Sequence, residues 1–184
     1  MAAFAVAAGS SVLFAGSVAA ADVPDSERIA GNNRYATAVE VAQVQADYAD
    51  DCYAIDGDDV TVVNGENWPD GLAAAVYGEQ ILLTRADSLP AETAAELERL
   101  VECGDGDEID IRVIGGTAAV SDAVYAEMAT IIDGDADMER HSGDSRYTTA
   151  IAVAEDWVED YEWWWPGCVI MVTGENYPDA LAAG

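Results

Sequence analysis

The sequence has 184 residues, 51% of them hydrophobic, and a formal net charge of −29 from 36 acidic against 7 basic side chains. Every basic residue is an arginine (Arg28, Arg34, Arg85, Arg99, Arg112, Arg140 and Arg146), so the clustered cationic surface that a phosphate backbone requires is missing and nucleic acid is excluded as a partner. The apolar content can fill a core, and the carboxylates are spread along the chain rather than gathered in a tail, which speaks for a folded domain. Self-repulsion on this scale destabilises a compact state unless salt screens it, and the screening length falls to about 3 Å at molar salt. The composition is that expected of a salt-adapted protein from a halophilic microbe.

Residues 1–21 (MAAFAVAAGSSVLFAGSVAAA) carry no charge and close on small residues, the pattern of a secretory signal cleaved after Ala21. A membrane anchor is the alternative, but Ala, Gly and Ser dilute the apolar stretch relative to a spanning helix. The signal predicts a secreted, cell-surface protein whose cysteines meet an oxidising compartment. Cys52 and Cys103 each precede a predicted strand, and a bridge between them is one pairing that would leave Cys168 over. No Cys-x-x-Cys or Cys/His spacing points to a metal site.

Further along, Tyr35, Ala38, Val39 and Ala42 have the i, i+3, i+4, i+7 spacing of a helix over 33–47. The β-branched run Val60–Val63 reads as a strand, followed by a Gly/Asn/Pro loop in which Asp70 offers an N-cap to a helix over Gly71–Tyr77. A strand at Ile81–Thr84 comes next, then a helix opened by Pro90 and running to Val101 with Leu97, Leu100 and Val101 inward. A third strand, Ile109–Ile114, ends in Gly115-Gly116, and Ser121 caps a helix with the stripe Val124, Tyr125, Met128, Ile131 and Ile132. Residues 133–139 are acidic and Gly-containing and read as a link. The pattern then restarts with a helix within Arg140–Trp157, an aromatic turn at Trp163–Pro166 and a strand at Cys168–Val172. Short apolar strands alternating with amphipathic helices predict an α/β fold of Rossmann or flavodoxin-like kind, with a parallel sheet covered on both faces.

The restart is a true repeat. Glu27-Arg28-x-x-Gly31-x-x-Arg34-Tyr35-x-Thr37-Ala38 returns 112 residues later as Glu139-Arg140-x-x-Gly143-x-x-Arg146-Tyr147-x-Thr149-Ala150. Val63-x-Gly65-Glu66-Asn67-Trp68-Pro69-Asp70-Gly71-Leu72-Ala73-Ala74 returns 109 residues later as Val172-x-Gly174-Glu175-Asn176-Tyr177-Pro178-Asp179-Ala180-Leu181-Ala182-Ala183. A repeat of this length can own a core. The expected organisation is therefore a signal at 1–21, a complete unit at 28–132, an acidic linker at 133–139 and a truncated second unit at 140–184.

Few residues invite catalysis. His141 is the only histidine and matches Ile29 in the first copy, so no Ser/His/Asp or Cys/His set forms around it. Asp133, Asp135 and Asp137 have the spacing that opens a calcium loop, but Met138 stands where such a loop needs Gly. Gly115-Gly116 reads as a tight turn, since dinucleotide fingerprints are absent and a P-loop needs a lysine. No cofactor is implied. The repeated loop Gly65–Asp70 follows the carboxyl end of a strand, where open α/β sheets bind ligands, yet its Gly, Pro and Asp equally suit a purely structural turn. Arg34 and Arg146 share this ambiguity between an ion pair and a fork presented to an anion.

Taken in order, these two blocks together with Ile81-Leu82-Leu83-Thr84 and Val113-Ile114-Gly115-Gly116-x-x-x-Val120-Ser121 resemble the type 2 cell-wall-binding repeat. The resemblance implies a noncatalytic module, three of which pack about a pseudo-threefold axis, that holds a protein on the envelope through an anionic wall polysaccharide. It implies a ligand contact near Ile81, Leu82 and Leu83, with Gln80 in place of the family's proline, and near Arg85. With Arg34, Glu66, Asn67, Asp70 and their second-copy partners Arg146, Glu175, Asn176 and Asp179, these are the candidate ligand-binding residues. The attachment region of an N-acetylmuramoyl-L-alanine amidase and a self-assembling surface component are the alternatives. Self-association would run through the incomplete second copy.

Overall fold

The computed structural model describes residues 28–49, 59–78, 80–103, 109–132, 136–160 and 170–177. The signal at 1–21, Cys52, Trp163–Trp165, Cys168 and Asp179 lie outside them. Among the described residues no helix is long and apolar enough to cross a membrane.

Helix α1 (Arg34–Ala49) leads to strand β1 (Asp59–Asn64), helix α2 (Trp68–Ala74) with a 3₁₀ turn at Ala75–Tyr77, and strand β2 (Gln80–Thr84). Then follow α3 (Ala91–Cys103), β3 (Ile109–Ile114), α4 (Asp122–Ile132), β4 (Ala136–His141) and α5 (Arg146–Asp160). The sheet has the order β2-β1-β3-β4 and is parallel throughout, as expected for an α/β fold built from crossovers. Central β1 is buried from Val60 to Asn64, the signature of a strand covered on both sides.

Alternate residues of the strands feed two cores. Val60, Val62, Leu82, Ile111 and Val113 meet Leu97 and Leu100 of α3 and Val124, Met128 and Ile132 of α4. Val63 and Ile114 meet Ala74, Tyr77 and Val153 of α5 on the opposite face. Each of these large apolar side chains is within a few per cent of full burial, worth about 1.5–3 kcal/mol apiece against exposure.

Three expectations change. Helix α2 starts at Trp68 with Asn67 as its N-cap, three residues earlier than the Asp70 cap implied. Pro69 fits the first turn, where its missing N–H costs nothing, and Asp70 becomes a buried acid of that turn. The acidic stretch 133–139 is no free linker, because from Ala136 onward it is β4, in register with β3 from Ile109↔Ala136 to Ile114↔His141. Low strand propensity yields to the open ladder of β3. A calcium loop would need a curled backbone here, whereas Asp137 is extended beside Asp110.

The strand expected at Cys168–Val172 is also absent from the described part of that stretch, since residues 170–173 pair with no strand. Ile170, Met171 and Val172 are 64%, 92% and 43% exposed. In the first copy the matching β1 is held between β2 and β3, and a parallel strand without such neighbours has no ladder to join. Cys103, at the end of α3, is disulfide-bonded, and its partner lies outside the described residues.

Candidate functional site

Both repeated blocks meet at the carboxyl end of the sheet, and their chemistry explains their spacing. At the start of α1, Asn33 Oδ1 accepts the N–H groups of Tyr35 and Ala36, both at 2.9 Å, capping the helix. The Gly31 N–H donates to Thr37 Oγ1 at 3.1 Å, and a Cβ on Gly31 would sit 2.4 Å from that of Ala36. The second copy repeats the device: the Gly143 N–H donates to Thr149 Oγ1 at 3.1 Å, and Ser145 takes the place of Asn33.

Each copy then latches its loop with an arginine. Arg34 Nη1 donates to the Gly65 carbonyl at 2.5 Å, and Arg146 Nη1 to the Gly174 carbonyl at 2.7 Å. The Asn64 side chain shapes the first loop, with Oδ1 accepting the Glu66 and Asn67 N–H groups at 2.7 and 3.1 Å and Nδ2 donating to Ala119 O at 2.6 Å. Thr173 stands in the same place in the second copy and accepts the Glu175 N–H at 3.3 Å. Sequence reasoning passed over Asn64; an Asn and a Thr at equivalent ends of the two repeats, each a side-chain acceptor, was the available signal.

The loops also touch each other. The Arg146 guanidinium lies 5.6 Å from the centre of the Trp68 ring, and Trp68 meets Tyr177 edge-on at 6.0 Å. Beneath them Asp70 is 8% exposed, and burial raises its pKa above 3.8 while nearby Arg146 works against the rise. Gly115, at φ 115°, is required there: a Cβ would come within 2.8 Å of Asp70 Oδ2.

The candidate residues thus separate into groups. Asp70 and Arg146 come together with Trp68, Gly174 and Tyr177. Glu66, Asn67, Glu175 and Asn176 are exposed on the two loops. Ile81 and Leu83 line an open groove of about 610 Å³ with Arg34, Thr37, Ala38, Val41 and Gln45. Leu82 points the other way into the core and is fully buried. Arg85 is exposed, with its guanidinium 4.7 Å from the centre of the Tyr35 ring. The loops, the groove and the two latching arginines thus bring polar and apolar contacts together near the carboxyl end of the sheet.

Comparison with known proteins agrees with this geometry. The Cell wall binding domain 2 (CWB2) family matches residues 28–125 and 140–184, the two copies of the repeat. N-acetylmuramoyl-L-alanine amidase LytC of Bacillus subtilis is 28% identical over 133 residues, covering 70% of this chain and 23% of that protein. Among solved structures, Cwp6 from Clostridium difficile aligns with a TM-score of 0.57 at 28% identity over 72% of this chain, and Cwp8 from the same organism with 0.57 at 28% over 69%. The chain spans about a fifth of each of those structures and under a quarter of the amidase. With its fold and both sequence blocks matched, the chain belongs to the cell wall binding domain 2 family.

Proposed function

We propose that the chain is a noncatalytic attachment module that binds an envelope polysaccharide at the cell surface and works in concentrated salt. Membership of a cell-wall-binding family carries this reading, and the groove beside Arg34 supports a location for the ligand. Ile81 and Leu83 offer apolar ground for sugar faces. Arg34 and Arg85 offer cations, and the exposed Glu66, Asn67, Glu175 and Asn176 offer hydrogen bonds. A surface at −29 repels a polyanion at long range, so contact with an anionic polymer requires the short screening length of molar salt. Salt therefore enters twice, in stabilising the fold and in permitting the contact.

Self-association belongs to the same reading. Val172 and Tyr177 are 43% and 53% exposed beside Ile170 and Met171, an apolar stretch that a further copy of the repeat would cover. Co-sedimentation of the purified protein with envelope fractions at about 0.1 M and about 3 M NaCl tests the proposal. Binding at high salt that the groove variant Val41→Asp abolishes is the expected result. No binding at either salt refutes attachment, and hydrolysis of amide bonds in wall material, read as newly freed amino groups, refutes the noncatalytic role.

A further inference from the structure

Beside the end of β4 three metal-capable side chains converge. Glu139 and His141 are two residues apart on one strand and face the same side, where Asp156 of α5 meets them. One ligand atom from each lies within 4.8 Å of the other two. The imidazole Nε2 is 4.0 Å from Glu139 Oε2, and Nδ1 is 3.6 Å from Asp156 Oδ1. His141 is only 9% exposed, yet its buried Nε2 has no hydrogen-bond partner. Leaving such an atom unmatched costs free energy.

The surroundings suit a cation. Asp156 is held by its other oxygen, Oδ2, which accepts the Tyr77 hydroxyl at 2.7 Å and lies 3.4 Å from Arg112 Nε. That support turns Oδ1 toward the imidazole, as outer partners orient the ligands of metal sites. The Glu139 side chain is 77% exposed and can swing. The carboxylates of Asp59, Glu139 and Asp156 outnumber the single guanidinium of Arg112, so the pocket is net negative when His141 is neutral.

The repeat supplies an internal control. Offset by 112 residues, Glu139 matches Glu27, but His141 matches Ile29 and Asp156 matches Val44. Two positions far apart in sequence that are apolar in the first copy both carry metal-capable side chains in the second, and these face each other. A plain His141–Asp156 ion pair accounts for Nδ1 but leaves Nε2 without a partner.

We propose that Glu139, His141 and Asp156 form a binding site for a divalent transition-metal ion of the Zn²⁺ class. One imidazole nitrogen and two carboxylate oxygens supply three ligands, and water completes the shell. The imidazole nitrogen disfavours Ca²⁺ and Mg²⁺, which take oxygen shells. The ion takes the unmatched Nε2, whereas Asp156 Oδ1 now faces the other ring nitrogen. With metal–ligand distances of about 2.1 Å and neighbouring ligand atoms about 3.4 Å apart, Glu139 moves inward and the imidazole turns to bring Nε2 toward Asp156.

Isothermal titration of the full chain with ZnCl₂, after alkylation of free thiols, tests the site. One equivalent is expected to bind and to raise the melting temperature. His141→Ile, which restores the residue of the first copy, should weaken binding by about 100-fold or more, and the exposed Glu139→Gln by about tenfold. Circular dichroism establishes that each variant is folded, and Glu139→Gln decides alone if His141→Ile is not. No stoichiometric binding, or binding in folded variants equal to that of the parent, would overturn the proposal.

Discussion

Helices α1 and α5 open on the same words and end in different company. Both begin with a glycine N–H donated to a threonine hydroxyl, and both send an arginine to the carbonyl of the loop glycine. Yet Val41 of α1 is 39% exposed on an open groove, while its counterpart Val153 of α5 is 1% exposed against Tyr77 and Ile114. Tyr35 is buried beneath Arg85, whereas Tyr147 is 54% exposed. The shared motif therefore specifies how a helix starts and how it grips its loop. What the helix body covers is set by the element that happens to lie beside it.

The comparison can be broken most severely by deletion. Ending the chain at residue 135 removes β4 and α5, bares Tyr77, Val63 and Ile114, and opens the β3 ladder. Loss of cooperative unfolding by circular dichroism is expected, contrary to the simple view that the first copy is self-sufficient. A truncated chain that melts cooperatively near the parent's temperature would restore that view. A sharper contrast comes from matched substitutions followed by urea titration. Val153→Asp buries an unpaired charge and should cost about 3–5 kcal/mol, whereas Val41→Asp at the exposed counterpart should fall within about 0.5 kcal/mol.

Where the copies behave alike, the effects should match as well. Thr37→Val and Thr149→Val each remove the hydroxyl that accepts the glycine N–H, and each should cost about 1 kcal/mol. A large inequality in their chemical-denaturation midpoints would show that the motif does different work in the two places. The smallest effect concerns Asp70. Burial raises its folded pKa above 3.8, so the folded state binds its proton more readily than the unfolded chain does. The contribution of this group to stability thus rises as pH falls through the raised value and levels off below 3.8. Asp70→Asn should melt at or slightly above the parent at neutral pH and lose that advantage on acidification. A variant less stable at neutral pH would mean that the carboxylate's attraction to Arg146 outweighs its burial.

Much of the fold was legible because its signals are local. The β-branched run at Val60–Val63, Pro90 before α3 and Ser121 before α4 each describe their own neighbourhood, and each element formed where expected. What failed depended on partners. Cys168–Val172 reads as a strand by composition, but residues 170–173 join no ladder. Residues 136–139 read as a link by charge, but β3 offered an edge and took them. Asp70 reads as a cap by residue type, but Pro69 favours the first turn, so the helix starts ahead of it with Asn67 at the N-cap position. At the site, the repeat drew attention to Arg34, Arg146 and the loop, yet it could not tell Leu82, turned into the core, from Ile81 and Leu83 on the groove. The approach of His141 to Asp156 was invisible for the same reason, since it depends on how α5 crosses β4.

Strand β4 carries a consequence for any longer array of such modules. The stretch that was duplicated and the stretch that folds as a body are out of phase, because the end of β4 and all of α5 belong to the second copy yet pair with and cover the sheet of the first. Successive modules would then be joined like overlapping shingles rather than like beads. Pulling on one would strip a strand from its neighbour, and mechanical load on a surface anchor would be shared across the seams.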